Sequence, residues 1–184
     1  MSNHFFGLQV AVLAPPHDPW RTRLLSLLRQ HTRDQSLVDQ RGFLGALANL
    51  LLLAEDRMPL GFWDLQHEGK AEYDDWVRGI EDDSAEPWVP DGSGARLDHV
   101  LVSALFLLPQ GGASAQRIGE RCDLPEAQWM QRRTFHRLFE TLPQFDARSV
   151  RGNAVYVTPG GDRLGFSLRE LQGEGYDYLL PISG

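Results

Sequence analysis

Gly7-Leu8-Gln9-Val10-Ala11-Val12-Leu13-Ala14 is a short, β-branched apolar run halted by Pro15-Pro16, and it reads as a buried first strand. Its counterpart is His99-Val100-Leu101-Val102-Ser103-Ala104-Leu105-Phe106-Leu107-Leu108, halted by Pro109-Gln110-Gly111-Gly112. The length and β-branching of that run serve a strand and a buried helix equally. Asn153-Ala154-Val155-Tyr156-Val157-Thr158, stopped by Pro159-Gly160-Gly161, reads as a strand. Phe62-Trp63-Asp64-Leu65-Gln66, after the break at Met58-Pro59-Leu60-Gly61, supplies a weaker one.

Between these runs lie helical signals. Asp18-Pro19-Trp20 places a cap and a first-turn proline ahead of Leu24, Leu25, Leu27 and Leu28. Ser36 with Asp39 three residues on resembles a capping box before Phe43, Leu44, Leu47 and the leucines of 50–53, an apolar helix that belongs in the centre. A short helix is expected from Glu72 through Trp76 to Ile80, another over 114–121, and a long one over 126–142 behind Asp123 and Pro125. Ser167-Leu168-Arg169-Glu170 opens a last short helix, and residues 176–182 are expected to pack back on the body.

Each half thus repeats an outline of strand, helices, strand. The expected fold is α+β: one domain over 1–184, whose sub-halves 5–83 and 95–182 meet through an acidic Pro/Gly/Ser linker at 84–94. Together they form a roughly four-stranded, mostly antiparallel sheet covered by helices on one side.

Composition is ordinary for a globular chain: 42% hydrophobic and 23% charged residues over 184 positions, enough to bury a core without covalent staples. The single cysteine, Cys122, rules out an intrachain disulfide and fits a reducing, cytoplasmic setting. Met1-Ser2-Asn3-His4 lacks the basic start of a secretory signal. The longest apolar stretch, 43–54, is interrupted by Asn49 and falls short of the roughly 20 residues that span a bilayer. Net charge is −7, yet residues 55–98 hold 13 acids against 4 bases, so the remainder is slightly basic. The acidic middle disfavours a phosphate backbone as its partner.

No catalytic, cofactor or metal signature emerges. None of His4, His17, His31, His67, His99 and His136 pairs with another His or Cys at ligand spacing on one helix or hairpin. Cys122 lies just before a helix but has the character of a packing residue. Gly92-Ser93-Gly94 lacks the flanking pattern of a nucleophile elbow, and Gly111-Gly112 and Gly160-Gly161 lack the Lys and hydroxyl of a phosphate loop. What distinguishes the middle is aromatic interleaving: Trp63, Tyr73, Trp76 and Trp88 among Asp74, Asp75, Asp82 and Asp83. Aromatics anchor and charges steer at protein interfaces, so these eight residues form the expected partner-binding surface; a small satellite core is the other reading.

Two resemblances bear on function. The run 8–14, the Leu-rich helix ending at Glu55, Phe62-Trp63, Val155-Tyr156-Val157-Thr158-Pro159, Leu168-Arg169-Glu170-Leu171 and Leu179-Leu180-Pro181-Ile182 make the chain resemble domain-of-unknown-function family 1517. That is the cyanobacterial and chloroplast family of the fluctuating-light acclimation protein. The likeness covers most of the chain and implies a non-enzymatic protein with no catalytic residue to carry over. Many of its members bear a membrane anchor and a Gly-rich segment ahead of the matching region, whereas this chain opens on its first strand. Residues 113–158 alternatively resemble a winged helix-turn-helix, with Gln128, Gln131, Arg132 and Arg133 as base-reading candidates. The leading expectation is a non-enzymatic cytoplasmic protein that binds another protein or itself, without a cofactor or a membrane span.

Overall fold

The computed structural model describes residues 2–31, 37–85, 96–160 and 164–184, with side chains outside 37–39 and 83–85. Five strands build one open sheet: β1 (Asn3–Leu13), β2 (Leu60–Gln66), β3 (His99–Pro109), β4 (Gly152–Thr158) and β5 (Leu180–Pro181). Their order is β4-β3-β1-β2-β5, and every neighbouring pair is antiparallel. The helices among the described residues are α1 (Pro19–His31), α2 (Leu37–Leu53), α3 (Lys70–Ala85), α4 (Ala113–Cys122) and α5 (Arg132–Thr141). Of the expected linker, residues 86–94 lie outside the described residues, and Ser84 and Ala85 close α3.

The run 99–108 is a strand, and the reason is burial on both faces. Even-numbered side chains of β1 and β3, among them Phe6, Leu8, Val102 and Phe106, share a core with Leu24 of α1, Leu47 of α2, Ile118 of α4 and Phe135, Leu138 and Phe139 of α5. Odd-numbered Ala11 and Leu101 meet Leu60, Phe166, Leu171 and Leu179 on the opposite face, while Phe5 lies beneath Tyr73 and Trp76 of α3. A strand covered twice needs apolar residues at every position, which erases the alternation that would have separated it from a helix. Each such Leu or Phe contributes about 1.5–3 kcal/mol when fully buried. The expected single-sided cover is therefore corrected: α3 and the stretch 164–179 roof the second face, and β5 raises the strand count to five.

The two halves repeat in topology. β1-α1-α2-β2 and β3-α4-α5-β4 have the same succession, their first strands pair at the sheet centre, and their last strands flank that pair. After β2 the chain crosses to the second face as α3; after β4 it crosses as the 164–179 stretch.

Local chemistry sets the element ends. The Asp18 carboxylate accepts the Trp20 amide at 2.7 Å, capping α1, and its other oxygen accepts from Arg57 at 2.8 Å. Gly111, at φ +76°, makes the turn that leads from β3 into α4. At Gly61 a Cβ would stand 2.8 Å from the Phe135 ring, so the bare backbone of β2 is what lets α5 approach. The long helix expected over 126–142 is broken: a 3₁₀ turn at Glu126–Gln128 precedes α5. The C-terminus takes the backbone bonds a continuous helix would use there, Arg132 donating to the Ser183 carbonyl at 2.8 Å and Ser183 to that of Met130 at 2.9 Å. The helix expected from Ser167 is only a 3₁₀ turn, Glu170–Gln172, closed by reciprocal bonds between Ser167 and Glu170.

One polar pair interrupts the doubly covered centre. Gln9 donates to the Ser103 hydroxyl at 2.9 Å across β1 and β3, both side chains being buried. We expect Ser103→Ala to lower stability by about 1–2 kcal/mol because it strands the amide, and Gln9→Leu added to it to recover part of that loss. Urea unfolding of the double-mutant cycle reads both values, and simple additivity would disprove the coupling.

Candidate functional site

The acidic aromatic segment does not form one surface. Trp63 lies on the α5 face of the sheet, where its indole donates to the Trp129 carbonyl at 2.9 Å and the two rings meet edge-on at 5.9 Å. Tyr73 and Trp76 lie on the other face. Trp76 stacks on Phe62 at 5.7 Å, meets Tyr178 at 6.1 Å and Phe5 at 5.8 Å, and donates to Glu72 at 2.8 Å. These rings constitute a satellite core under α3. Lys70 pairs with Asp74 and Arg78 with Asp75 along the exposed side of that helix, and Asp82 is exposed. The backbone of Asp83 is helical, and Trp88 lies outside the described residues.

A different feature is the outer edge of β4, which no described strand pairs. Gln110 donates to the Ser2 carbonyl at 3.0 Å and Ala14 to that of Asp98 at 2.7 Å, so the even-numbered residues of β1 exchange bonds with β3. Alternation then gives the odd-numbered residues of β3 to β4, where the partners are Gly152, Ala154, Tyr156 and Thr158. Asn153, Val155 and Val157 consequently turn their N–H and C=O groups outward, and no described strand takes them. Natural edges are blunted by charge or proline; β4 contains neither. Its topological equivalent β2 is covered at its start by β5 through Gly61 and Leu180, and carries Asp64 further along.

Beside this edge runs a groove of about 440 Å³ lined by Leu28, His31, Gln40, Arg151, Asn153 and Val155. His31 stacks flat on Phe43 at 3.7 Å and its Nε2 lies 3.4 Å from Asn153 Oδ1, fastening the end of α1 to β4. On the strand's other side the Tyr156 hydroxyl donates to Glu81 at 2.9 Å; burial and that carboxylate both push its pKa up. A separate, wider concavity of about 1190 Å³ is lined by the next residues of α2 and of the approach to β4, and holds Arg41, Arg117 and Arg148 with Asp146. Arg117 donates to the Gln144 carbonyl at 2.7 Å. Neither Arg41 nor Arg148 meets a carboxylate side chain among the described residues.

The remaining reactive side chains sit apart. Burial, reinforced by Asp64, pushes the Cys122 thiol up to about 12, so it stays protonated at neutral pH. His4 and His67, read as unrelated in the sequence, meet edge-on at 4.6 Å because Phe5 pairs with Gln66 in the register of β1 and β2. Burial, then His67, lowers the His4 pKa. Among the described residues no group of three or more His, Cys, Asp or Glu could hold a metal ion, and no helix is long and apolar enough to cross a membrane. In the winged-helix region β4 pairs with β3 inside the main sheet, Arg132 donates to the carbonyls of Glu55 and Gly184, and Gln131 to that of Ala127. Arg133 is exposed and Gln128 partly so.

Compared with family models, curated proteins and solved structures, the chain has no match in any of the three.

Because Trp76 is packed among rings, Trp76→Ala should lower stability by about 3 kcal/mol. Loss of partner binding at an unchanged urea midpoint would restore the interface reading. A second outcome concerns His136, which lies 2.8 Å from Glu55 and whose pKa is raised chiefly by that hydrogen bond. A raised folded value means the contribution is complete below the unfolded pKa of about 6.5 and lost as pH rises through the folded one. His136→Gln should lower the urea midpoint at about pH 6 and leave it unchanged at about pH 9. Equal effects at both would exclude the protonated pair.

Proposed function

We propose that this chain is a non-enzymatic binding protein whose partner is a polypeptide that adds as an extra strand to β4. The observation that carries the reading is the outward, uncharged row at Asn153, Val155 and Val157. Strand addition uses such a row for main-chain bonding and takes alternate side chains into adjoining pockets, which the groove beside Leu28 and Gln40 can supply. The internal repeat adds weight: the corresponding edge of the first half accepts β5, so the architecture tolerates a strand there. The thiol held protonated at Cys122 argues against that residue as a nucleophile. A DNA-reading role for residues 113–158 draws less support, since Gln131 and Arg132 are engaged within the chain and α5 turns Phe135, Leu138 and Phe139 into the core.

The test is peptide display against the full chain. Selected sequences should form strands, and their affinity should fall at least about tenfold with Val155→Pro, which removes an outward N–H and leaves the β3 bonds in place. Alternate N-methylation of the peptide should abolish binding without touching the protein's fold. In the free protein the amides of 154, 156 and 158 should exchange slowly and those of 153, 155 and 157 quickly, the latter slowing on binding. Binding that survives both proline and N-methylation, or slow exchange on both sides of β4 in the free protein, would overturn the proposal.

A further inference from the structure

Resting on strand addition at β4, the geometry points to the chemistry of the partner: we infer an extended segment that is acidic immediately C-terminal to its strand. Every pair in the sheet is antiparallel, and antiparallel pairing is the more stable per residue. An incoming antiparallel strand therefore brings its C-terminal end to the N-terminal end of β4. Guanidinium groups collect near that end: Arg151 lines the groove, and Arg148, Arg41 and Arg117 line a second concavity whose residues adjoin the groove's along the chain.

The charge there is opposite to that of the molecule. The chain carries −7 overall, whereas the described residues of the concavity include three guanidinium groups and one carboxylate, Asp146. That carboxylate is engaged, accepting the Arg148 backbone amide at 3.1 Å. Arg117 satisfies one of its donors on the Gln144 carbonyl, and Arg41 and Arg148 are left presenting theirs. Planar guanidinium forks suit carboxylates, which they grip with two parallel bonds. At about 3.3 Å per extended residue, a few positions beyond the strand reach from the groove into the concavity. A second copy of this chain fits less well: in a two-fold β4 pair the stretch following one strand meets the approach to the other, and after Thr158 comes Pro159-Gly160-Gly161, with the single acid Asp162 offset at once by Arg163.

Three synthetic peptides with a common Thr-Val strand decide it by fluorescence anisotropy on the full chain: one ending in Glu residues, one ending in Gln residues, one beginning with Glu residues. The Glu-ended peptide should bind about tenfold more tightly than the other two at low salt, and the gap should close at high ionic strength. Arg41→Gln with Arg148→Gln, both exposed, should shrink the gap and leave the Gln-ended peptide unaffected. Equal binding of the Glu- and Gln-ended peptides would overturn the acidic tail while strand addition stands; preference for the Glu-first peptide would overturn the orientation. Failure of all three to bind would remove the strand-addition reading itself. Dimerisation abolished by Val155→Pro would assign the edge to a second copy and overturn the inference.

Discussion

The structure depends on the pairing of β1 with β3 along eleven residues, from Asn3 opposite Pro109 to Leu13 opposite His99. Each strand is buried nearly throughout and covered on both faces. A backbone placed there has no water to bond, so its polar groups must be satisfied by neighbouring strands. This forces a strand on each outer side: β2 beside β1 and β4 beside β3. The polar groups on the far side of those outer strands are then the sheet's residual problem. β5 answers it for the start of β2; among the described residues no strand answers it for the outer side of β4.

The repeat explains how one chain builds such a centre. A strand, two helices and a returning strand give an antiparallel pair with a helical cover on one face, and two such units joined at their first strands give β2-β1-β3-β4. Neither unit alone can bury the second face. α3 supplies a roof for the first half through Tyr73 and Trp76, and the 164–179 stretch supplies one near the β5 end through Phe166 and Leu171. At Gly165 a side chain would collide with the His99 backbone, so glycine is what allows that stretch to bridge to β3 through Phe166.

Much of this was legible in the residues. The runs at 7–14, 62–66 and 153–158 announced strands because proline or glycine bounds them, and Asp18-Pro19 announced the start of α1. The run 99–108 could not be assigned from sequence, since double burial removes periodicity. β5 is two residues long and had no pattern to read. The break before Arg132 was hidden because its cause is the return of Ser183 from the far end of the chain. The eight residues singled out in the acidic segment carried a true signal, aromatics beside charges, but that signal does not distinguish a helix roofing a sheet from a surface offered to a partner. Trp63 and Trp76 are close in sequence, yet the sheet stands between them. The open edge left a fainter mark: a charge-free strand approached by Arg148 and Arg151. It gains meaning only once the strand order places β4 outermost.

An unpaired, uncharged edge is a liability as well as an opportunity, because such an edge can template pairing with another extended chain, including copies of itself. Selectivity must then come from beyond the strand. Main-chain bonds along Asn153, Val155 and Val157 would be blind to sequence, and the groove beside them is lined by both polar and apolar side chains. Under the proposed strand addition, the arginines of the concavity, of which Arg148 precedes β4 by four residues, would favour acid-tailed segments over neutral or basic ones. Their position outside the strand matters physically: a charge within β4 would blunt the edge for every partner, whereas guanidinium groups beside its entry leave the edge usable and bias which chain occupies it. The acidic helix α3 meets β4 on the opposite side of the sheet, through Glu81 and Tyr156, while the arginines lie with α2 and the approach to β4.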